Sequence, residues 1–239
     1  MRRLFVVLAA LWLAGCNLVL SEQPWFTARD DAPRLRPGLW AFVKSPTCKF
    51  DPASAVTEWP ECAGPVLVRG SELVSPQDAS KADDPAARKS RLADVKNWQA
   101  TTPVFAAGDP MIWQLHPEAK AGDGGDASTP LGEVKVPYVY LASRVTMRGP
   151  QGQMQTLRLW PVFCGPPPLK RSGKTHSLDA LADESFTDRP FPGLKRHDPG
   201  CVAASEAALR EAAVRSEAVA AANGVPPLEI RWVRETVEP

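Results

Sequence analysis

The side chains able to do chemistry in this 239-residue chain are few and far apart. Five are cysteines, Cys16, Cys48, Cys62, Cys164 and Cys201, and three are histidines, His116, His176 and His197. A zinc site needs cysteines and histidines at close, regular spacing. Here no Cys-x-x-Cys pair occurs, and no histidine stands at ligand distance from another. A Gly-x-Ser-x-Gly elbow, a phosphate-cradling glycine loop and a His-Glu-x-x-His helix are all absent from the sequence. The carboxylate pairs Asp30–Asp31 and Asp83–Asp84 lie in polar, proline-flanked stretches and read as caps and solvated charge. The residue types therefore point away from catalysis, and no metal or cofactor is expected. What stands out instead is aromatic: eight tryptophans, of which Trp40, Trp113, Trp160 and Trp232 fall on expected strands. Their first use is core packing. Trp40 and Trp113 are also the candidates to line a cavity for a small apolar ligand.

The start of the chain carries an address. Met1, Arg2 and Arg3 form a positive head, Leu4 to Leu13 is an uninterrupted apolar run, and Ala14 and Gly15 are small. That order is the pattern of a secretory signal. The run is too short to span a hydrocarbon layer, which takes about 20 residues. The stretch Leu13-Ala14-Gly15-Cys16 resembles the lipobox of bacterial lipoproteins. The resemblance implies cleavage before Cys16, acylation of Cys16 by chains of the palmitate type, and anchorage of the mature protein in a bilayer. Two or more acyl chains make such anchorage stable. Asn17, in place of an Asp, implies the outer membrane, with the domain facing the periplasm.

Formal net charge is +1, and loss of Arg2 and Arg3 with the signal makes it −1. A chain so near neutrality is a poor partner for nucleic acid. In an exported protein the four cysteines beyond Cys16 imply two disulfides. Of three possible pairings, Cys48–Cys62 and Cys164–Cys201 are favoured, being nearest in sequence and closing proline-rich loops.

Around these sites the pattern is mainly β, with one domain expected over residues 38–239. Residues 16–37 read as a lipidated N-terminus and tether. Gly38 to Lys44, Met111 to His116, Tyr138 to Arg148, Met154 to Phe163 and Leu228 to Val237 read as strands, from their β-branched and aromatic alternation. Aligning the apolar faces of the hairpin pairs Val145 with Leu157 and Val139 with Phe163, which sets Arg144 against Arg158, a like-charge penalty. A short helix is expected after Asp84-Pro85, with Leu92, Val95 and Trp98 or Gln99 recurring along it. A long alanine-rich helix is expected over about 199–222, capped by Asp198 and stopped by Asn223-Gly224. Residues 117–132 read as a loop and Ser177 to Glu184 as one helical turn or two. The fold expected is a curved antiparallel sheet or open β-barrel, with a long C-terminal helix and then a final strand.

Gly38-Leu39-Trp40 is similar to the Gly-x-Trp motif that opens lipocalin barrels, and the late helix followed by a last strand matches that order. The resemblance implies a ligand-holding barrel. The chain's 25 prolines and long loops argue instead against a compact eight-stranded meander. The leading functional expectation is a non-enzymatic envelope lipoprotein of structural, assembly or partner-binding type. The alternative is a carrier of a small apolar ligand.

Overall fold

The computed structural model describes residues 17–76, 84–116, 137–166, 187, 189–197, 200–226 and 228–238. The signal segment with Cys16, the loop at 117–132 and the turn at Ser177 to Glu184 lie outside the described residues. Along the rest the strands are β1 (Leu20–Ser21), β2 (Gly38–Val43), β3 (Ala63–Arg69), β4 (Glu72–Ser75), β5 (Gln99–Thr101), β6 (Val104–Ala106), β7 (Met111–Leu115), β8 (Tyr138–Arg148), β9 (Met154–Pro161), β10 (Leu194–His197), β11 (Gly200–Ala203) and β12 (Leu228–Arg234). The helices are α1 (Pro85–Ala93) and α2 (Glu206–Ala222).

One antiparallel sheet carries the order β5-β4-β3-β2-β12-β9-β8-β7-β6, with β1 added against β8, and β10 pairs only with β11. The two outermost strands, β5 and β6, are consecutive in the chain with only Thr102 and Pro103 between them. Three peptide units span at most about 11 Å, so the sheet curls until its two edges nearly meet. It is an open barrel. Each strand lies beside its neighbour in sequence, and β12 completes the circuit by pairing with both β9 and β2.

The path is therefore an up-and-down meander, contrary to what the prolines suggested. Two prolines do enter the sheet, each where one flank lacks a partner. Pro65 faces Ala41 on β2, while β4 pairs with β3 only from Leu67 onward. Pro161 faces Leu141, while β12 pairs with β9 only as far as Leu159. A missing N–H costs nothing in such places. The alternation of direction also sorts the connections. Those after β2, β4, β7 and β9 are long and all leave from one end of the barrel. Those after β3, β6 and β8 are tight turns at the other end.

The hairpin keeps the expected register through Val145–Leu157 and Arg144–Arg158. It departs at its mouth. Val139 pairs with Leu20 of β1, and Phe163 bridges to Leu18. The N-terminal segment is wedged in where β8 begins and β9 ends, so the pairing of Val139 with Phe163 does not form.

The same wedge corrects the tether reading of residues 16–37. Asn17 is 1% exposed, and Leu18 and Val19 are fully buried. Val19 N–H donates to Val162 O (2.9 Å), Cys164 N–H to Asn17 O (2.8 Å) and Cys201 N–H to Leu18 O (3.1 Å). Farther along, Phe26 is clamped by Gln114, whose side chain accepts from its N–H and donates to its carbonyl, each at 2.9 Å. Leu35 is buried among the barrel's inner side chains.

α2 begins at Glu206, seven residues after Pro199, with Ser205 as its cap accepting from Ala208 N–H at 3.1 Å. The residues before it cannot be helical. Gly200–Ala203 pairs as β11, and Cys201 is tied to Cys164. Both favoured disulfides are present, Cys48–Cys62 and Cys164–Cys201. The short helix after Asp84 is α1, whose cap Asp84 accepts from Ala86 and Ala87 N–H. It ends at Ala93, and a separate turn over Val95–Asn97 carries the chain to Trp98.

Candidate functional site

Because pairing residues share a face of a sheet, the register identifies what points inward. Trp40 pairs with Trp232 and Val66, Phe42 with Ile230, Val145 with Leu157, Trp113 with Leu141 and Phe105. These residues belong to one apolar cluster to which eight of the nine strands on the sheet's main path contribute. The outer face is covered otherwise. α2 lies over β8 and β9, and the segment around Val56 and Trp59, with Trp98, covers β2 and β3.

On the inner face, eight apolar side chains are only half-buried: Phe42, Val66, Leu73, Phe105, Leu141, Val145, Leu228 and Trp232. These half-buried side chains are apolar, and three of them are aromatic. At the regular inward registers no residue is charged. The polar ones, Ser75, Gln99, Thr101 and Ser143, carry hydroxyl or amide groups. Ser143 is fully buried and accepts the indole N–H of Trp113 at 2.8 Å.

Trp40 and Trp113, the expected lining residues, both lie on this inner face but sit deep in the wall, at 1% and 3% exposure. Trp40 donates its indole N–H to Arg36 O (2.8 Å), and Trp232 donates to Pro37 O (3.1 Å). Arg36 in turn stacks over Trp232, 3.5 Å from the ring centroid. The two indoles thereby fix the strap that leads into β2, and Gly38 follows at φ +121°, where a Cβ would run into the Arg234 carbonyl oxygen. The aromatic side chains of this face that stay half-buried are Phe42, Phe105 and Trp232. Phe42 could have been read from its place two residues after Trp40 on the same strand face. Phe105 sits on a three-residue strand too short to show a period.

Outside the barrel the polar groups are structural. The Tyr140 hydroxyl bonds Ser21 Oγ, which donates to Gln23 O at 2.6 Å. Burial pushes that hydroxyl's pKa up to about 12, opposed by its hydrogen bonds to Ser21 and the Trp25 backbone. His116 stacks on Tyr138 at 4.5 Å, and His197 is exposed on β10. Among the described residues no cluster of His, Cys, Asp or Glu is arranged to hold a metal, and no helix is long and apolar enough to cross a membrane. Comparison with family models, curated proteins and solved structures finds no match to the chain.

Proposed function

We propose that this protein is a lipid-anchored envelope protein that binds a small, uncharged, apolar ligand inside its barrel. One observation carries the reading: the inward face of the sheet has no charged residue at its regular registers, and eight of its apolar side chains are only half-buried. A face left wet in this way lacks its partner, and an apolar guest of matching size gains from covering it. The size of barrel is compatible, since an eight-stranded circuit is either filled by its own side chains or holds one small ligand, and here β5 and β6 together occupy one place in the circuit. The outer surface offers less to a protein partner. Among the described residues only Met147 and Val214 are large hydrophobics left exposed, and they stand on separate elements. The lipobox resemblance at Cys16 supplies the anchor and the envelope location.

The test is native mass spectrometry of a soluble form starting at Asn17, exported to a bacterial periplasm and never reduced. A co-purifying mass of lipid or metabolite size, displaced by the neutral fluorophore N-phenyl-1-naphthylamine, supports the carrier. A bare chain that also fails to bind the fluorophore overturns it and returns the weight to a structural or partner-binding role.

A further inference from the structure

Chain length between an anchor and a fold decides how freely a domain stands off a membrane. A flexible linker of 20 residues would reach about 25 Å. Here that linker is missing. Asn17, the residue bonded to Cys16, is itself 1% exposed, donates from Nδ2 to Gly165 O at 3.3 Å and accepts Cys164 N–H through its carbonyl. Leu18 and Val19 after it are sealed in by bridges to Phe163 and Cys201. One peptide unit, 3.8 Å between Cα atoms, is all that separates Cys16 from a buried, hydrogen-bonded residue.

The position of that residue on the barrel is fixed as well. Leu20 and Ser21 pair with Val139 and Tyr138, the first residues of β8, and Asn17 bonds the residues just past the end of β9. Asn17 can lie no more than about 11 Å from Leu20. It therefore belongs to the barrel end from which the four long connections leave. The tight turn after β8, with Gln151 in it, lies beyond the far end of an eleven-residue strand, about 35 Å along it.

We infer that the lipid on Cys16 holds the long-connection end of the barrel directly against the bilayer surface, with the tight-turn end pointing away. The inference rests on the lipoprotein reading of Cys16. It adds to that reading the surface that meets the membrane, and it places one end of the barrel's inner face within reach of membrane-resident lipid.

The full-length protein, with its own signal and its disulfides intact, is purified from a bacterium and reconstituted into phosphatidylcholine–phosphatidylglycerol vesicles containing a headgroup nitroxide lipid. A nitrobenzoxadiazole label is placed at His116→Cys, exposed at the anchor end, or at Gln151→Cys, exposed at the opposite end. Quenching at position 116 should exceed that at 151 by at least about threefold. Insertion of twelve Gly/Ser residues between Cys16 and Asn17, a reach of about 19 Å, should abolish the difference. Equal quenching at the two sites with acyl mass confirmed on Cys16 overturns the orientation alone. Absence of acyl mass on Cys16 overturns the lipoprotein reading and the orientation with it. A difference that survives the insertion overturns the short-leash argument.

Discussion

Arg144 on β8 and Arg158 on β9 stand directly opposite each other, and Glu217 of α2 reaches down between them. One Glu217 carboxylate oxygen bonds Arg144 Nη1; the other bonds Arg158 Nη2 at 2.6 Å. Arg144 is also held by Asp109 at 2.6 Å. A like-charge pair that would repel across a sheet has become the socket for the helix above it.

Glu217→Gln should therefore cost more than an isolated surface pair, about 1–2 kcal/mol, because it also releases the repulsion between the arginines. Adding Arg158→Gln to that variant should cost less than it does in the parent. Urea unfolding of the four proteins in the cycle measures this, and strictly additive losses would show that the three charges act independently.

Removing the disulfides one pair at a time should give unequal losses. The sequence separations are 14 for Cys48–Cys62 and 37 for Cys164–Cys201. Chain entropy alone assigns about 3 kcal/mol to the first and about 4 to the second. The second pair also sits where Leu18 and Val19 are held, so the Cys164→Ser/Cys201→Ser variant should also speed hydrogen exchange at Val19 N–H. Equal exchange in both double variants would separate the bridge from the wedge.

Tyr140 makes stability depend on alkaline pH. Its pKa is raised to about 12 in the folded chain from an ordinary value of 10. Between those values the unfolded chain loses the proton and the folded one keeps it, so stability is complete below pH 10 and falls as pH rises toward 12. The fall should be about 2 kcal/mol. Tyr140→Phe should cost about 1 kcal/mol at neutral pH and flatten this part of the profile. Thermal melts of both proteins from pH 8 to pH 11.5 test it, and parallel profiles would assign the alkaline loss to other groups.

Gly38→Ala should cost about 2 kcal/mol or more, since it sets a Cβ at φ +121° against the Arg234 carbonyl. The same change at Gly70, whose Cβ would meet nothing within 4 Å, carries the unfavourable φ without the collision and should cost less. Equal denaturation midpoints for the two variants would remove the close approach as the reason for glycine at position 38.

Phe105→Asp puts a carboxylate on the barrel's inner face and should weaken binding of N-phenyl-1-naphthylamine at least tenfold. Val214→Asp, on the exposed face of α2, should leave binding unchanged. Fluorescence titration distinguishes them, and matched affinities would place the binding elsewhere than in the barrel.

The strands that sequence alternation revealed are those with enough residues to repeat. β8 and β9 run to eleven and eight residues, and their register was legible down to the Arg144–Arg158 conflict. The closing strands were invisible for the opposite reason: β5 and β6 have three residues each, and the joint at Thr102-Pro103 is a matter of topology rather than pattern. The start of α2 was misplaced because Asp198-Pro199 is a better local cap signal than Ser205, and only the pairing of β10 with β11 overrules it. Leu18-Val19-Leu20 was a short apolar run in plain sight. Set between Cys16 and a polar stretch, it carried no period to distinguish strand from spacer. Trp40 and Trp113 lie on the inner face but are buried in it, and which inner residues stay partly exposed depends on how the barrel curls.

The wedge formed by Leu18, Val19 and β1 also bears on the order of assembly. Leu18 and Val19 are among the first described residues of the chain, yet their partners are Phe163 and Cys201. Whatever emerges first must wait until most of the chain has followed before it can settle. Contacts so distant in sequence form slowly. In the interval Leu18-Val19-Leu20 is a bare apolar strand with open edges, the sort of segment that pairs with a neighbouring chain when nothing shields it. The last stitch of this barrel joins Leu18 and Val19 to partners that follow most of the sheet in sequence, and their exposure to misassembly lasts until those partners are in place.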